Sequence, residues 1–530
     1  MTKCNFVDCR SLRFYLNANH LTVNDVVVSM GIISGYADGI AKYYRRKEGS
    51  LAFLCGGVLV ALALTMIPSL LIAAFKGESL LVMGAPMLVG FLLGTPLVMR
   101  YRLATVIRPP DALAMMAVLW ITCFVFGMLP FMMCGMTPIN ALFESASGFT
   151  TTGVDVFPDY TVFPDCILFW RSTSAWLGGI MIILIFMFLM PMVGGGTRTA
   201  LGNETSGSSG GDYNRTMRLR DAALQFILVY VLLTFAMALI LICMAYTPFE
   251  AITLAFCTLS TGGFMASSVD FTPALKIVIL IFMFLGATNF YLHYRAVFQR
   301  DISYGKSEEF MGVLVWCIVM SFVLFFLLNP DPFNDVFDNY LDSLFMTVSA
   351  SSTTGYSFEA FGSWHYAAMI VLYLLALVGA SSGSTAGGIK ISRLIIAAKA
   401  LKRSFEQVIR PNTVNPVRMD GNNVPDDVVK NTLMVIMLFG LTIIGFSLLF
   451  MLFGYSGEGS ISCSIALLSN FGTAVGEFAV GYDSASNIVK LIMILMMWFG
   501  RLEILVAMAI LSPRVWKEQY LNFRKNRHSD

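Results

Sequence analysis

The sequence predicts an all-α polytopic membrane protein built largely from four re-entrant hairpins, and three observations lead there. First, 57% of its 530 residues are hydrophobic and only 13% are charged, too few polar side chains to cover a soluble core of that size. Second, runs of roughly 20 apolar residues, long enough to cross the hydrocarbon layer as helices, recur along the chain. Third, four of the connections between them share one internal pattern, a short helix followed by a Ser/Thr/Gly cluster.

Ten runs qualify as spans, in five pairs: Leu51 to Phe75, Leu80 to Met99, Ala112 to Cys134, Ile167 to Met190, Leu224 to Ala245, Leu275 to Leu292, Phe310 to Leu328, Ala367 to Ile396, Val428 to Phe453 and Ile488 to Leu511. The connections alternate in charge. Arg100 to Arg108, Arg198 to Arg220, Arg295 to Lys306 and Lys390 to Lys430 are basic, whereas Thr137 to Pro164, Thr247 to Pro273, Asn329 to Trp364 and Gly454 to Ser486 contain no Lys or Arg. Positive charge is retained on the cytoplasmic side, so the first set is expected inside, the second outside, and both termini in the cytoplasm. Acidic residues of the outer set, among them Glu144, Glu250, Asp342 and Glu458, would draw cations to that face.

Metalloenzyme chemistry finds no support. The four histidines (His20, His293, His365, His528) are scattered and the ten cysteines show no CxxC spacing. The first twenty residues lack the apolar run of a signal peptide.

The outer segments carry the chemistry. Helices too short to cross are expected at Ile139 to Ser147, Phe249 to Leu259, Asn339 to Ser349 and Ser460 to Ser469. The clusters that follow are Thr151-Thr152-Gly153, Ser260-Thr261-Gly262, Thr353-Thr354-Gly355 and Asn470-Phe471-Gly472. Their glycines align at intervals of 109, 93 and 117 residues (262 − 153, 355 − 262, 472 − 355). Non-helical backbone at membrane depth is tolerable only where it is buried in protein or lines a wet cavity, so four such segments should converge on one axis as a pore. Each short helix aims its partially negative C-terminal end at its cluster, where carbonyl and threonine oxygens can replace a hydration shell. The permeant species is therefore expected to be an alkali cation.

These clusters resemble those of the Trk/Ktr/HKT superfamily of potassium uptake proteins, in particular its bacterial TrkH/TrkG type. Further matching segments are Trp170-Arg171, Trp176-Leu177-Gly178-Gly179, Glu204-Thr205-Ser206-Gly207, Asn289-Phe290 with His293, Gly383 to Lys390, and Gly500-Arg501-Leu502-Glu503. The resemblance covers roughly Leu51 to Pro513. It implies four pseudo-symmetric hairpins around one pore, an extra N-terminal helix pair, K+ as the transported ion, a homodimer, and a cytosolic TrkA-type ring that binds the nucleotide. No organic cofactor and no nucleic acid is expected on this chain. In plant-type relatives sodium preference goes with Ser at the first aligned glycine; Gly153 is retained here, which favours potassium.

Two features point to a gate. Residues 379–388 hold Gly379, Gly383, Gly387 and Gly388 with four hydroxyl residues, a composition that penalises helix. A break is expected there, giving an intramembrane loop beneath the filter, where the family also places its gating loop. Arg501 stands about 13 residues into the last span, roughly 20 Å deep at 1.5 Å per residue, where a lone charge is costly. It is expected to face the pore and meet carbonyls of the glycine loop. Lys490, near the outer end of the same span, reads as an interfacial anchor.

The expected organisation is an N-terminal cytoplasmic or interfacial segment (1–50), the extra pair (51–108), four repeats (109–198, 199–300, 301–420, 421–513) and a cytoplasmic tail (514–530). The reading is a gated, potassium-conducting subunit of the inner membrane, not an enzyme. Competing readings are the potassium-transporting subunit of a P-type pump, a sodium-permeable or sodium-coupled transporter, and an intramembrane enzyme, for which no catalytic dyad is visible.

Overall fold

The computed structural model describes residues 47–103, 108–156, 162–188, 212–267, 269–328, 335–357, 364–411, 415–479 and 481–517. Most of the N-terminal segment expected over residues 1–50, the Glu204 to Gly207 stretch and most of the 514–530 tail lie outside them. An apolar helical pair comes first: α1 (Ser50–Thr65) and its continuation α2 (Ile67–Lys76), separated at Met66 just before Pro68, pack along α3 (Leu81–Arg100). Gly56 and Gly94 let the backbones approach, since a Cβ on either would come within 2.8 Å of the other's carbonyl. A short parallel pair, β1 (Lys47–Glu48) with β2 (Tyr101–Arg102), joins the start of α1 to the end of α3.

Four hairpins follow, each a span, a short helix, an extended return and a second span. The first comprises α4 (Pro109–Gly127) with α5 (Leu129–Met133), α6 (Pro138–Phe149) and α7 (Asp165–Phe188). The second comprises α8 (Asp212–Cys243), α9 (Pro248–Leu259), α10 (Pro273–Gly286) and α11 (Phe290–Phe298). In the third are α12 (Glu308–Leu328), α13 (Val336–Ser351), α14 (Tyr366–Val378) and α15 (Ile391–Ile409). The last holds α16 (Asp426–Leu452), α17 (Gly457–Leu468), α18 (Asn487–Leu502) and α19 (Ile504–Leu511). A small antiparallel hairpin, β3 (Arg418–Met419) with β4 (Asn422–Asn423), precedes α16.

The short helices start where local chemistry says they should. Thr137, Thr247 and Ser456 accept a hydrogen bond from the third backbone N–H of α6, α9 and α17, and Pro138 and Pro248 occupy first-turn positions whose N–H would be unpaired anyway. The first spans α8, α12 and α16 remain largely open on their outer faces, while α4 is far more buried because the N-terminal pair covers it.

Among the described residues, seven helices are long and apolar enough to cross a membrane as continuous pieces. Two more of the expected ten spans are bent pairs, α10 with α11 at 96° and α18 with α19 at 118°. The tenth, Ala367 to Ile396, is split into α14, a loop and α15. The break in that run was expected; those in Leu275 to Leu292 and Ile488 to Leu511 correct the reading of unbroken helices. Asn289 caps α11 by accepting from Tyr291 N–H at 2.9 Å. The freed carbonyls of Gly286 and Ala287 accept from Thr385 N–H and Ser381 N–H, both at 3.2 Å, and Phe290 N–H donates to Gly383 O at 3.1 Å. Two irregular segments thus satisfy one another's backbone, which makes both breaks tolerable at depth. At the other bend Glu503 adopts φ +67° and pairs with Arg393 at 2.6 Å.

Candidate functional site

All four short helices end the same way. Thr150, Ser260, Ser352 and Ser469 are the last helical caps, and the next residues, Thr151, Thr261, Thr353 and Asn470, take left-handed φ of 50°, 54°, 56° and 56°. The residue after each donates its N–H back five positions: Thr152 to Ser147, Gly262 to Cys257, Thr354 to Ser349 and Phe471 to Ala466. This is a Schellman closure, which leaves the chain extended and leading away from the helix end.

Two positions beyond each left-handed residue stands a glycine of φ +64° to +85°: Gly153, Gly263, Gly355 and Gly472. The sequence reading aligned Gly262 in the second repeat, and the structure shifts it by one residue. Gly262 is not left-handed; it occupies the place of Thr152, because α9 ends at Leu259 and the count of the closure starts there.

These glycines close a ring. A Cβ on Gly153 would overlap the carbonyl oxygen of Gly262, one on Gly263 that of Thr354, one on Gly355 that of Phe471, and one on Gly472 that of Thr152. The repeats therefore meet in cyclic order, backbone against backbone, and only glycine permits that approach. Four partially negative helix ends point toward the ring.

Thr152 and Thr354 bond the cap hydroxyls of Thr150 and Ser352 at 2.7 Å, and so brace their own repeats rather than standing free toward an ion. Asn470 Nδ2 donates to Thr152 Oγ1 and to Met497 O, both at 2.9 Å, tying the fourth strand to the first. Outside the ring, Tyr482 donates to Gly472 O at 2.9 Å; burial raises its phenol well above the ordinary range, so it keeps that proton.

Directly against the ring lies the segment between α14 and α15. Gly379, Gly383 and Gly388 are left-handed at φ 67°, 70° and 75°. Gly387 abuts Ser469 O so closely that a Cβ would collide, and its N–H donates to Thr353 Oγ1 at 2.7 Å. Thr385 is the junction. Its hydroxyl reaches Leu259 O at 3.0 Å and Gly286 O at 2.9 Å, while its carbonyl accepts from Thr261 Oγ1 at 2.9 Å and from Arg501 Nη1 at 2.6 Å.

Arg501 is 3% exposed, and its Nε and Nη2 find no hydrogen-bond partner among the described residues. It lines a pocket together with Phe186, Gly383, Phe439, Lys390, Arg393 and Glu503. A buried guanidinium thus stands against a carbonyl of the glycine loop. Lys490, expected as an interfacial anchor, is instead 3% exposed: its Nζ donates to Asn140 Oδ1 and Asp483 O, both at 2.9 Å, across the seam between the fourth and first repeats. Thr385, Asn289 and the cap residues Thr150, Ser352 and Ser469 were not singled out as site residues.

Comparison with known proteins agrees with this geometry. The profile of TrkH, described as a cation transport protein, matches residues 111–333 and 316–518. The Trk system potassium uptake protein TrkH of Vibrio parahaemolyticus is 28% identical over 422 residues, covering 78% of this chain and 87% of that protein. The Trk system potassium uptake protein TrkG of Escherichia coli is 27% identical over 474 residues, covering 88% of this chain and 98% of that one. The crystal structure of the potassium transporter TrkH from Vibrio parahaemolyticus superposes with a TM-score of 0.79 at 26% identity, over 88% of this chain and 99% of that chain. This chain belongs to the TrkH family of cation transport proteins.

Proposed function

We propose that this protein takes up potassium across the cytoplasmic membrane as the ion-conducting, gated subunit of a Trk-type system. The observation that carries the reading is the closed ring of four glycine-bearing segments standing directly on the Thr385 loop. Carbonyls of residues 151–153, 261–263, 353–355 and 470–472 replace the hydration shell of the ion. Arg501, held on Thr385 O, raises the barrier below the ring until the loop moves. Movement of that loop also breaks its bonds to the kinked α10–α11 backbone, so opening involves three repeats at once. The relatives' description as parts of a Trk system supports a multi-component assembly. We place the basic connections and both termini in the cytoplasm, where a TrkA-type nucleotide-binding ring engages a homodimer of this chain.

The test is growth at micromolar potassium of cells lacking their own uptake systems, with and without a TrkA-type partner. Rescue is expected and should strengthen with the partner. Failure to rescue by protein shown to be in the membrane, in both arms, refutes the reading.

A further inference from the structure

One buried ion pair lies behind the ring and joins two of its strands. Arg171 on α7 is 5% exposed, and Glu144 on α6 is 2% exposed. Arg171 Nε meets Glu144 Oε2 at 3.1 Å, and its Nη2 pairs with Asp155. Glu144 Oε1 accepts from Val156 N–H at 2.8 Å, so the carboxylate and the guanidinium together grip the strand just past Gly153. The guanidinium carbon also lies 3.8 Å from the ring centroid of Phe264, the residue that follows Gly263 in the second strand. One side chain therefore touches the first strand by charge and the second by cation–π contact.

Among the described residues no other repeat has a carboxylate at the place of Glu144, although Lys276 pairs with Asp342 between the second and third repeats and Lys490 bridges the fourth and first. The positions matching Glu144, seven before the left-handed residue of each repeat, are Leu254, Met346 and Cys463, all buried and none able to hold a cation. A buried ion pair is expensive to desolvate and adds little stability over an apolar replacement, so a place for it behind one seam calls for a reason other than packing. Its geometry supplies one. Where oxygen atoms stand in for a hydration shell, a cage free to contract binds the smaller sodium ion, and a cage held open does not.

We propose that Arg171 is a positioning residue for ion selection: through Glu144 and Phe264 it fixes the separation of the first two filter strands. The inference rests on the filter reading above. Its net charge is offset by Glu144 and Asp155, so it acts by holding geometry, not by repelling cations from the mouth.

The test is competitive uptake of rubidium against sodium by the full chain, with Arg171→Gln, Phe264→Leu and, as a reporter of the filter itself, Gly355→Ser. Arg171→Gln should lower the rubidium-over-sodium preference by roughly ten-fold, and Phe264→Leu, which leaves the ion pair intact, by about two- to five-fold. A purely structural role would reduce both fluxes together in proportion to protein in the membrane. Either variant conducting with an unchanged ratio while Gly355→Ser alters it overturns the proposal and leaves the filter reading standing. An unchanged ratio in all three sinks both. Should Arg171→Gln fail to insert, Phe264→Leu alone decides.

Discussion

Substituting alanine at Gly263 and, separately, at Gly262 distinguishes the ring described here from the alignment that the local sequence suggests. At Gly263 the new Cβ would fall about 1 Å inside the closest approach that real Cβ atoms show, and the atom it meets is the backbone carbonyl oxygen of Thr354. That oxygen has no flexible side chain behind it and must itself move. The residue would also occupy φ +64°, which costs an L-residue about 1–2 kcal/mol. At Gly262 the nearest atoms are Ala175 Cβ at 2.9 Å and Ser260 Oγ at 3.0 Å, both side-chain atoms, and φ is not left-handed. The cost there is ordinary overpacking of about 1–3 kcal/mol, felt as lower protein yield. Since each 1.4 kcal/mol is a factor of ten, moving the Thr354 oxygen by about 1 Å should cut rubidium-over-sodium preference at least roughly ten-fold in Gly263→Ala. Gly262→Ala should stay within about three-fold of the parent chain. The assay is competitive uptake in cells without other potassium systems, normalised to protein in the membrane. A larger selectivity loss at Gly262 than at Gly263 would refute the register and with it the cyclic contact argument.

Other outcomes follow from the same contacts. Arg501→Gln removes a buried charge that, taken at ~8 Å from a passing ion and an effective dielectric of ~20, is worth about 2 kcal/mol, so resting potassium leak from loaded vesicles should rise at least ten-fold; an unchanged leak would remove Arg501 from the barrier. Lys490→Met unpicks Asn140 and Asp483 at the seam between first and last repeats, and should lower the thermal midpoint by a few degrees without altering ion preference. Glu477 has its carboxyl held below the ordinary 4.5, first by the Ser456 hydroxyl and then by backbone N–H groups. Its contribution is present above that value and is lost as pH falls through the lowered one, so Glu477→Gln should flatten the acid limb of a stability-against-pH curve, and an unaltered limb would show the bond to be idle.

Much of the architecture is written locally. The Thr-Pro pairs at 137–138 and 247–248 announce helix starts, and the Ser/Thr/Gly clusters mark their ends, because capping uses neighbouring residues. The register of the second cluster is not legible in Ser260-Thr261-Gly262-Gly263. Two adjacent glycines are equally permissive, and what chooses between them is the last turn of α9. The bends at Ala287 and Glu503 escape for a different reason: the groups that meet them, the Ser381 and Thr385 N–H on the freed carbonyls and Arg393 on the Glu503 carboxylate, lie about 100 residues away in sequence. Lys490 was misread because a lone lysine near a span end looks the same whether its amine meets water or Asn140.

The circle of contacts from Gly153 through Gly472 back to Thr152 is made by one covalent strand rather than by identical subunits. A substitution therefore edits one quadrant and leaves three untouched, where in a tetramer of identical chains it would strike all four together. Asn470 can sit where the other quadrants carry threonine, and a charged clamp can back a single seam, without either change being multiplied. Ion preference in such a molecule is open to adjustment in quarter steps.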